Sequence, residues 1–240
     1  MKKILKNSID FLFPKTCLFC GNYISSSEMS KYLCTVCYQK IKFIEPPICE
    51  KCGLPVNSGE KYCQRCTDNK EKVYYNLIRG ITYFEEPIKK CIHMLKYKGK
   101  EYLGFFLSDF FINYLQKNNY LLNVDLVTPV PIHYLRKFKR GFNQSELIAK
   151  LISKKFNIEY DNLNLYRKKL TKPQAKLNRE ERLLNINEAF AVRDSGYFMG
   201  KSVLIVDDVS TTGETINQCA KVLKQSGAKN IFGLTLARDI

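Results

Sequence analysis

Eight of the ten cysteines form four Cys-x-x-Cys pairs: Cys17/Cys20, Cys34/Cys37, Cys49/Cys52 and Cys63/Cys66. A two-residue gap lets one turn aim both sulfurs at a single ion, and two pairs complete a tetrahedral four-thiolate site. The set therefore predicts two zinc ions. Gly21 and Gly53 follow the second cysteine of the first and third pairs, where such a turn calls for left-handed backbone. Sequential pairing, first with second and third with fourth, is the simplest topology and gives two zinc ribbons. A crossed pairing would have the same sequence pattern. Four thiolates leave no open coordination position, so the expected role is structural. A segment of about 75 residues with few strong apolar runs gains from the metal a staple that its core cannot supply.

Those cysteines could also belong to a disulfide-rich secreted module. Against this, Met1-Lys2-Lys3 leads into an apolar stretch broken by Lys6 and Asp10, with no small-residue cleavage site after it. Ile4, Leu5, Ile9, Leu12 and Phe13 instead have the spacing of a short amphipathic helix. No run approaches the roughly 18 uncharged apolar residues of a membrane span, and a cytoplasmic protein is expected. Cys91 and Cys219 stand apart from the pairs. Each sits among apolar residues at helical spacing and is expected in the core.

From about Val73 the pattern changes, dividing the chain into a zinc module over 1–75 and a second domain over 76–240. Strands are expected at Ile78–Phe84, Val124–Val130, Leu163–Tyr166, Lys201–Asp207 and Asn230–Leu236. Helices are expected near Pro87–Tyr97, Tyr102–Leu115, Phe142–Phe156 and Glu214–Gln225. Such alternation predicts an α/β fold with a mostly parallel sheet flanked by helices, and ligands at the carboxyl ends of its strands.

Val203–Val206 reads as a buried strand with Asp207 and Asp208 at its end. Val209, Ser210, Thr211, Thr212, Gly213, Glu214 and Thr215 then open a helix. Adjacent carboxylates suit a vicinal diol such as the two hydroxyls of a ribose. Backbone N–H groups and threonine hydroxyls at a helix N-terminus suit a phosphate. Together they fit a sugar 5-phosphate. Gly200-Lys201-Ser202 superficially matches a nucleotide-binding P-loop, but Ser195 stands where the motif's leading glycine belongs, and the segment precedes a strand instead of a helix.

Val203–Thr215 resembles the phosphoribosyl pyrophosphate motif of type I phosphoribosyltransferases. More of the chain is similar to the ComF family of bacterial competence proteins, which is preceded by a double zinc ribbon. The matching stretches are Lys96-Tyr97-Lys98-Gly99, Val130-Pro131-Ile132-His133, Arg140-Gly141-Phe142-Asn143-Gln144, and Pro173-Gln174 through Arg182 and Asn185. This resemblance covers nearly the whole chain and implies a type I phosphoribosyltransferase-like sheet. Asp207 and Asp208 would bind the ribose, and Ser210, Thr211, Thr212, Gly213, Glu214 and Thr215 would surround the 5-phosphate. The turn at Val130 and Pro131 would be the pyrophosphate loop, with Arg136 and Arg140 as charge partners. Arg167–Arg182 would be the loop that covers the site, and Mg²⁺ would accompany the pyrophosphate. Glu214 replaces the small residue expected there. Pointing inward, it would lower phosphate affinity; pointing outward, it would change little.

The formal net charge is +16. His133–Arg182 holds fourteen Lys and Arg against five acids, interleaved with Tyr134, Phe138, Phe142, Phe156 and Tyr166. Cations beside stacking rings suit pyrophosphate or single-stranded DNA. Phe142 and Phe156 are expected in the core, and neither His93 nor His133 is read as a catalyst. Two functions follow. One, which the resemblance to the ComF family implies, is a factor that handles single-stranded DNA during natural transformation, together with other proteins of the uptake machinery, using phosphoribosyl pyrophosphate as ligand, switch or substrate. The other is a nucleobase phosphoribosyltransferase of salvage. The zinc module and basic aromatic strip, which a small salvage enzyme does not require, favour the first. No acceptor pocket and no catalytic residue can be read from the sequence.

Overall fold

Val203, Leu204, Ile205 and Val206 are all fully buried, as a strand covered on both faces requires. They belong to β6 (Ser202–Ser210), near the middle of a five-stranded parallel sheet. The computed structural model describes residues 15–25, 30–68, 72–97, 99–171, 186 and 188–240. The helix expected over Ile4–Phe13, Lys98, Pro173-Gln174, Arg182 and Asn185 lie outside the described residues.

The zinc module contributes two short helices, α1 (Thr35–Gln39) and α2 (Gln64–Thr67). β1 (Leu77–Tyr83) follows, then α3 (Ile88–Tyr97), α4 (Tyr102–Lys117) and β2 (Leu126–Pro129). Next come α5 (Tyr134–Arg140), α6 (Gln144–Phe156), β3 (Glu159–Tyr160), β4 (Leu165–Arg167) and β5 (Phe190–Val192). After β6 the chain closes with α7 (Glu214–Gln225) and β7 (Asn230–Arg238). The sheet order is β1-β7-β6-β2-β3, and β4 pairs antiparallel with β5 outside it.

Alternation along β6 divides the core. Leu204 and Val206 join a cluster with Ile92, Leu95, Leu107, Phe111, Ile148 and Ile152 of α3, α4 and α6. Val203 and Ile205 face the other way, toward Ile216, Cys219, Ala220 and Leu223 of α7 and Phe190 of β5. Period two in the strand and i, i+3, i+4, i+7 in α7 thus meet on one surface. Cys91 and Cys219 are buried, as their spacing indicated.

Three expectations need correction. β6 runs to Ser210, because it pairs with β7 through Asp207↔Thr235, Val209↔Ala237 and Ser210↔Arg238. The two acids therefore lie within the strand and not beyond its end. The strand expected at Leu163–Tyr166 is shifted to Leu165–Arg167 and forms a hairpin partner for β5 instead of a sheet strand. Helix α5, unforeseen, is capped by His133, whose Nδ1 accepts from the Leu135 N–H at 3.3 Å.

β1 is an edge strand of the sheet, with open backbone groups that invite foreign pairing. The zinc module covers it. The Ile44 N–H donates to the Ile81 carbonyl at 3.0 Å, Tyr83 N–H to Lys42 at 3.0 Å, and Ile78 N–H to Lys51 at 2.8 Å. Arg79 adds donation from its guanidinium to the Glu50 carbonyl at 2.9 Å.

Candidate functional site

The cysteines settle into two clusters in the sequential pairing, Cys17, Cys20, Cys34, Cys37 and Cys49, Cys52, Cys63, Cys66. Within each, the sulfurs lie within 4.8 Å of one another. Cys20 and Cys34 sulfurs are 3.7 Å apart, and those of Cys52 and Cys63 are 3.5 Å apart. A tetrahedron with Zn–S bonds of about 2.3 Å has edges of about 3.8 Å, so both donor sets fit zinc. Burial and then the neighbouring cysteines push the Cys37 and Cys66 thiols up. A dication relieves that crowding of sulfurs. Both centres are structural zinc-ribbon sites, closed by four thiolates each.

The acid pair forms the centre of the second region. Asp207 Oδ1 accepts from Ser145 Oγ at 3.0 Å and from the Asp208 N–H at 2.9 Å. Asp208 Oδ1 accepts from the Val209 N–H at 2.7 Å, while its Oδ2 pairs with Lys96 Nζ at 2.8 Å. Lys96 projects from the last turn of α3, where the helix dipole also favours a cation. Burial, then the Asp208 carboxylate, push the Asp207 pKa up to about 7; Lys96 opposes this. The pair is thus buried and held by Ser145, Lys96 and two backbone N–H groups.

Ser210, Thr211, Thr212 and Gly213 carry the chain from β6 into α7. Gly213 is its N-cap, with φ +82°, and accepts from the Asn217 N–H at 2.9 Å. That left-handed conformation turns the chain from β6 into α7. Glu214 is buried, but its carboxylate folds back along α7, accepting from Gln218 Nε2 at 2.7 Å and Asn217 Nδ2 at 3.4 Å. Its charge is therefore tied to the helix it begins. Thr215 lies one residue further into α7.

The turn at Val130 and Pro131 lies alongside. Val130 N–H donates to the Val206 carbonyl at 2.8 Å, and its own carbonyl accepts from Asn143 Nδ2 at 3.1 Å. Arg140 donates to Gln144 Oε1 at 2.7 Å and stacks its guanidinium over Tyr97, beside Lys96. Arg136 donates to the Thr171 carbonyl. Arg167 donates to the hydroxyl of the same threonine and lies over the Phe190 ring. Burial and Arg136 push Arg167 down to about 10, with Asp207 acting against them. Two guanidiniums thus converge on Thr171.

Several of these residues carried no assigned role in the sequence. Lys96 belongs to the Lys96–Gly99 stretch, but only the fold brings it to Asp208. Ser145, Arg65 and Arg238 had no local signal. Arg65 Nη1 donates to the Thr212 carbonyl, and Arg238 Nη1 to Ser210 Oγ at 3.3 Å. Both therefore touch the turn.

Residues 112–239 match the family described as Phosphoribosyl transferase domain. Residues 8–67 match Double zinc ribbon domain. The chain is 27% identical over 230 residues to Competence protein F of Haemophilus influenzae, covering 94% of this chain and 98% of that protein. It is 28% identical over 181 residues to DNA utilization protein YhgH of Shigella flexneri, covering 74% of this chain and 78% of that protein. With Competence protein ComFC of Streptococcus pneumoniae it shares 28% identity over 160 residues, covering 67% of each. The chain therefore belongs to the phosphoribosyl transferase domain family, as a ComF-type member that carries a double zinc ribbon ahead of that domain.

Proposed function

We propose that the chain binds phosphoribosyl pyrophosphate and acts on single-stranded DNA during its uptake or use. The observation that carries the first half is the continuity of a buried acid pair with a left-handed turn at the N-terminus of α7. In this reading Asp207 and Asp208 accept from the ribose hydroxyls. Ser210, Thr211, Thr212, Gly213, Glu214 and Thr215 wrap the 5-phosphate, Glu214 through its backbone. The turn at Val130 and Pro131, with Arg136 and Arg140, faces the pyrophosphate. Lys96 already compensates Asp208, so Mg²⁺ is expected on the pyrophosphate oxygens, whose charge it would neutralise.

For the second half, α5 presents exposed rings beside cations. Tyr134 is 70% and Phe138 90% exposed, and Tyr97 across from Arg140 is 70% exposed. Rings left in water next to Lys139 and Arg140 can stack bases while the cations meet phosphates. The names of relatives, competence and DNA utilization proteins, agree with such a substrate.

Calorimetric titration with phosphoribosyl pyrophosphate and Mg²⁺ tests the site. The double variant Asp207→Asn, Asp208→Asn should lose binding while keeping its fold, since each charge-assisted bond contributes about 1.5–3 kcal/mol. Unaltered binding would move the site elsewhere. Pyrophosphate release measured with free nucleobases and then with single-stranded DNA separates a salvage transferase from a DNA-linked protein. Turnover above about 1 s⁻¹ with a free base would establish the former.

A further inference from the structure

Arg238, at the end of β7, is fully buried. Its Nη1 reaches Ser210 Oγ, whereas its Nε and Nη2 are buried with no hydrogen-bond partner among the described residues. No carboxylate pairs with it there. Burial opposes its charge, and so does Arg65, while the Cys52 sulfur, Tyr75 and the Cys63 sulfur favour it. Tyr75, whose hydroxyl is also buried without a partner, lies within electrostatic reach of Arg65, Cys52, Cys66 and Arg238. A buried guanidinium needs a counter-charge, and a dication held by four thiolates keeps a net negative charge. The second zinc centre can supply it.

The same centre reaches the phosphate turn by a second route. Arg65 stands between the ligands Cys63 and Cys66 on α2 and donates to the Thr212 carbonyl. On the other side, Arg238 Nη1 would lie 3.7 Å from a Cβ at Gly213. Gly80 leaves the room that the Arg238 stem occupies, since a Cβ there would meet Arg238 Cγ at 2.2 Å. Ser210, Thr212 and Gly213 are therefore approached by two cations, Arg65, which stands between two ligands of the second zinc, and Arg238, whose charge the sulfurs of Cys52 and Cys63 favour. The first centre makes its contacts elsewhere: Lys90 of α3 donates to the Phe19 carbonyl at 2.9 Å, and Tyr32 stacks on Tyr102 of α4.

We propose that the second zinc centre supports the phosphate turn through Arg65 and Arg238, so that zinc in this centre, and not in the first, sets the affinity of the turn for a sugar phosphate. The proposal rests on the sugar-phosphate reading above. It makes Arg65 and Arg238 positioning residues, acting on the turn and not on the ligand.

Coupling between two sites is reciprocal, so a ligand in the turn must also hold zinc in the second centre. The zinc-loaded full-length chain is mixed with a chromogenic chelator, with and without saturating phosphoribosyl pyrophosphate and Mg²⁺. At equilibrium, one of the two ions should need several-fold more chelator for its removal with ligand, and the other an unchanged amount. Arg238→Met should abolish that protection and weaken calorimetric binding roughly tenfold, the loss of about one charge-assisted bond. Arg238→Lys should restore part of both. Arg65→Met should act in the same direction, and it decides the matter if Arg238→Met does not fold. Protection of both ions or of neither, or unchanged affinity in Arg65→Met, would overturn the coupling while wild-type binding keeps the sugar-phosphate reading intact. Absence of binding by the zinc-loaded wild type would overturn both.

Discussion

Asp207 has its pKa pushed up to about 7 by burial and by Asp208. An acid whose folded-state pKa exceeds its unfolded value keeps its proton longer in the folded chain. Its contribution is favourable at low pH and is lost as pH rises from about 4 through that folded value. The melting temperature should therefore fall over this window, and Asp207→Asn should flatten the decline. Phosphoribosyl pyrophosphate should show the opposite trend, binding more tightly as the carboxylate ionises, when titrated at about pH 5.5 and about pH 8. Equal affinity at both would dissociate Asp207 from ligand binding. Two glycines allow a finer comparison. Gly21 and Gly53 both have positive φ, +81° and +70°. Open space surrounds Gly21, whereas a Cβ at Gly53 would meet the Ile78 carbonyl oxygen at 2.6 Å. Gly21→Ala should cost about 1–2 kcal/mol from the left-handed backbone alone. Gly53→Ala should cost more in denaturant melts, because the second zinc turn must also move away from β1.

Helix α5 has no buried residue. Its aromatic residues gain nothing from the core, and Phe138 is nearly free of protein contact at 90% exposure. Tyr134→Ala and Phe138→Ala should each weaken single-stranded DNA binding by about 1–3 kcal/mol, the usual loss for a stacked base. Fluorescence anisotropy with a labelled oligonucleotide reads this directly. Phosphoribosyl pyrophosphate affinity should not change, since neither ring lines the acid pair or the turn. Loss of both bindings would mean that α5 acts by shaping the site. The helix was not legible in the sequence because its seven residues hold too few apolar positions to show a helical period. Only the His133 cap and the chain's return into α6 reveal it. By contrast, α7 and β6 were clear, since both have uninterrupted periodicity and buried faces.

Over the whole molecule, the zinc module closes the open edge of the sheet through residues 42, 44 and 51. Zinc removal should thus destabilise the sheet as well as the ribbons. Differential scanning calorimetry after chelation should show the main transition shifted down; an unchanged main transition with one small early loss would mean that the module melts alone. The net charge of +16 adds a second global expectation. If five basic residues meet DNA phosphates, log affinity should fall with log salt at a slope of about −3.5, from about −0.7 per contact. A slope near zero would assign the charge to solubility. Local chemistry by itself determined the zinc-ligand cysteines, the adjacent acids, the turn that opens α7 and the α/β alternation, because a Cys-x-x-Cys turn, a pair of neighbouring carboxylates and a helix start are each contained in a few consecutive residues. The tertiary structure decided what converges on them. It chose the sequential zinc pairing, carried Lys96 and Ser145 to the acids, turned Glu214 along its own helix, and set Arg65 and Arg238 against the turn. Those choices depend on crossovers and burial between segments up to 147 residues apart, and no local periodicity encodes a distance of that kind.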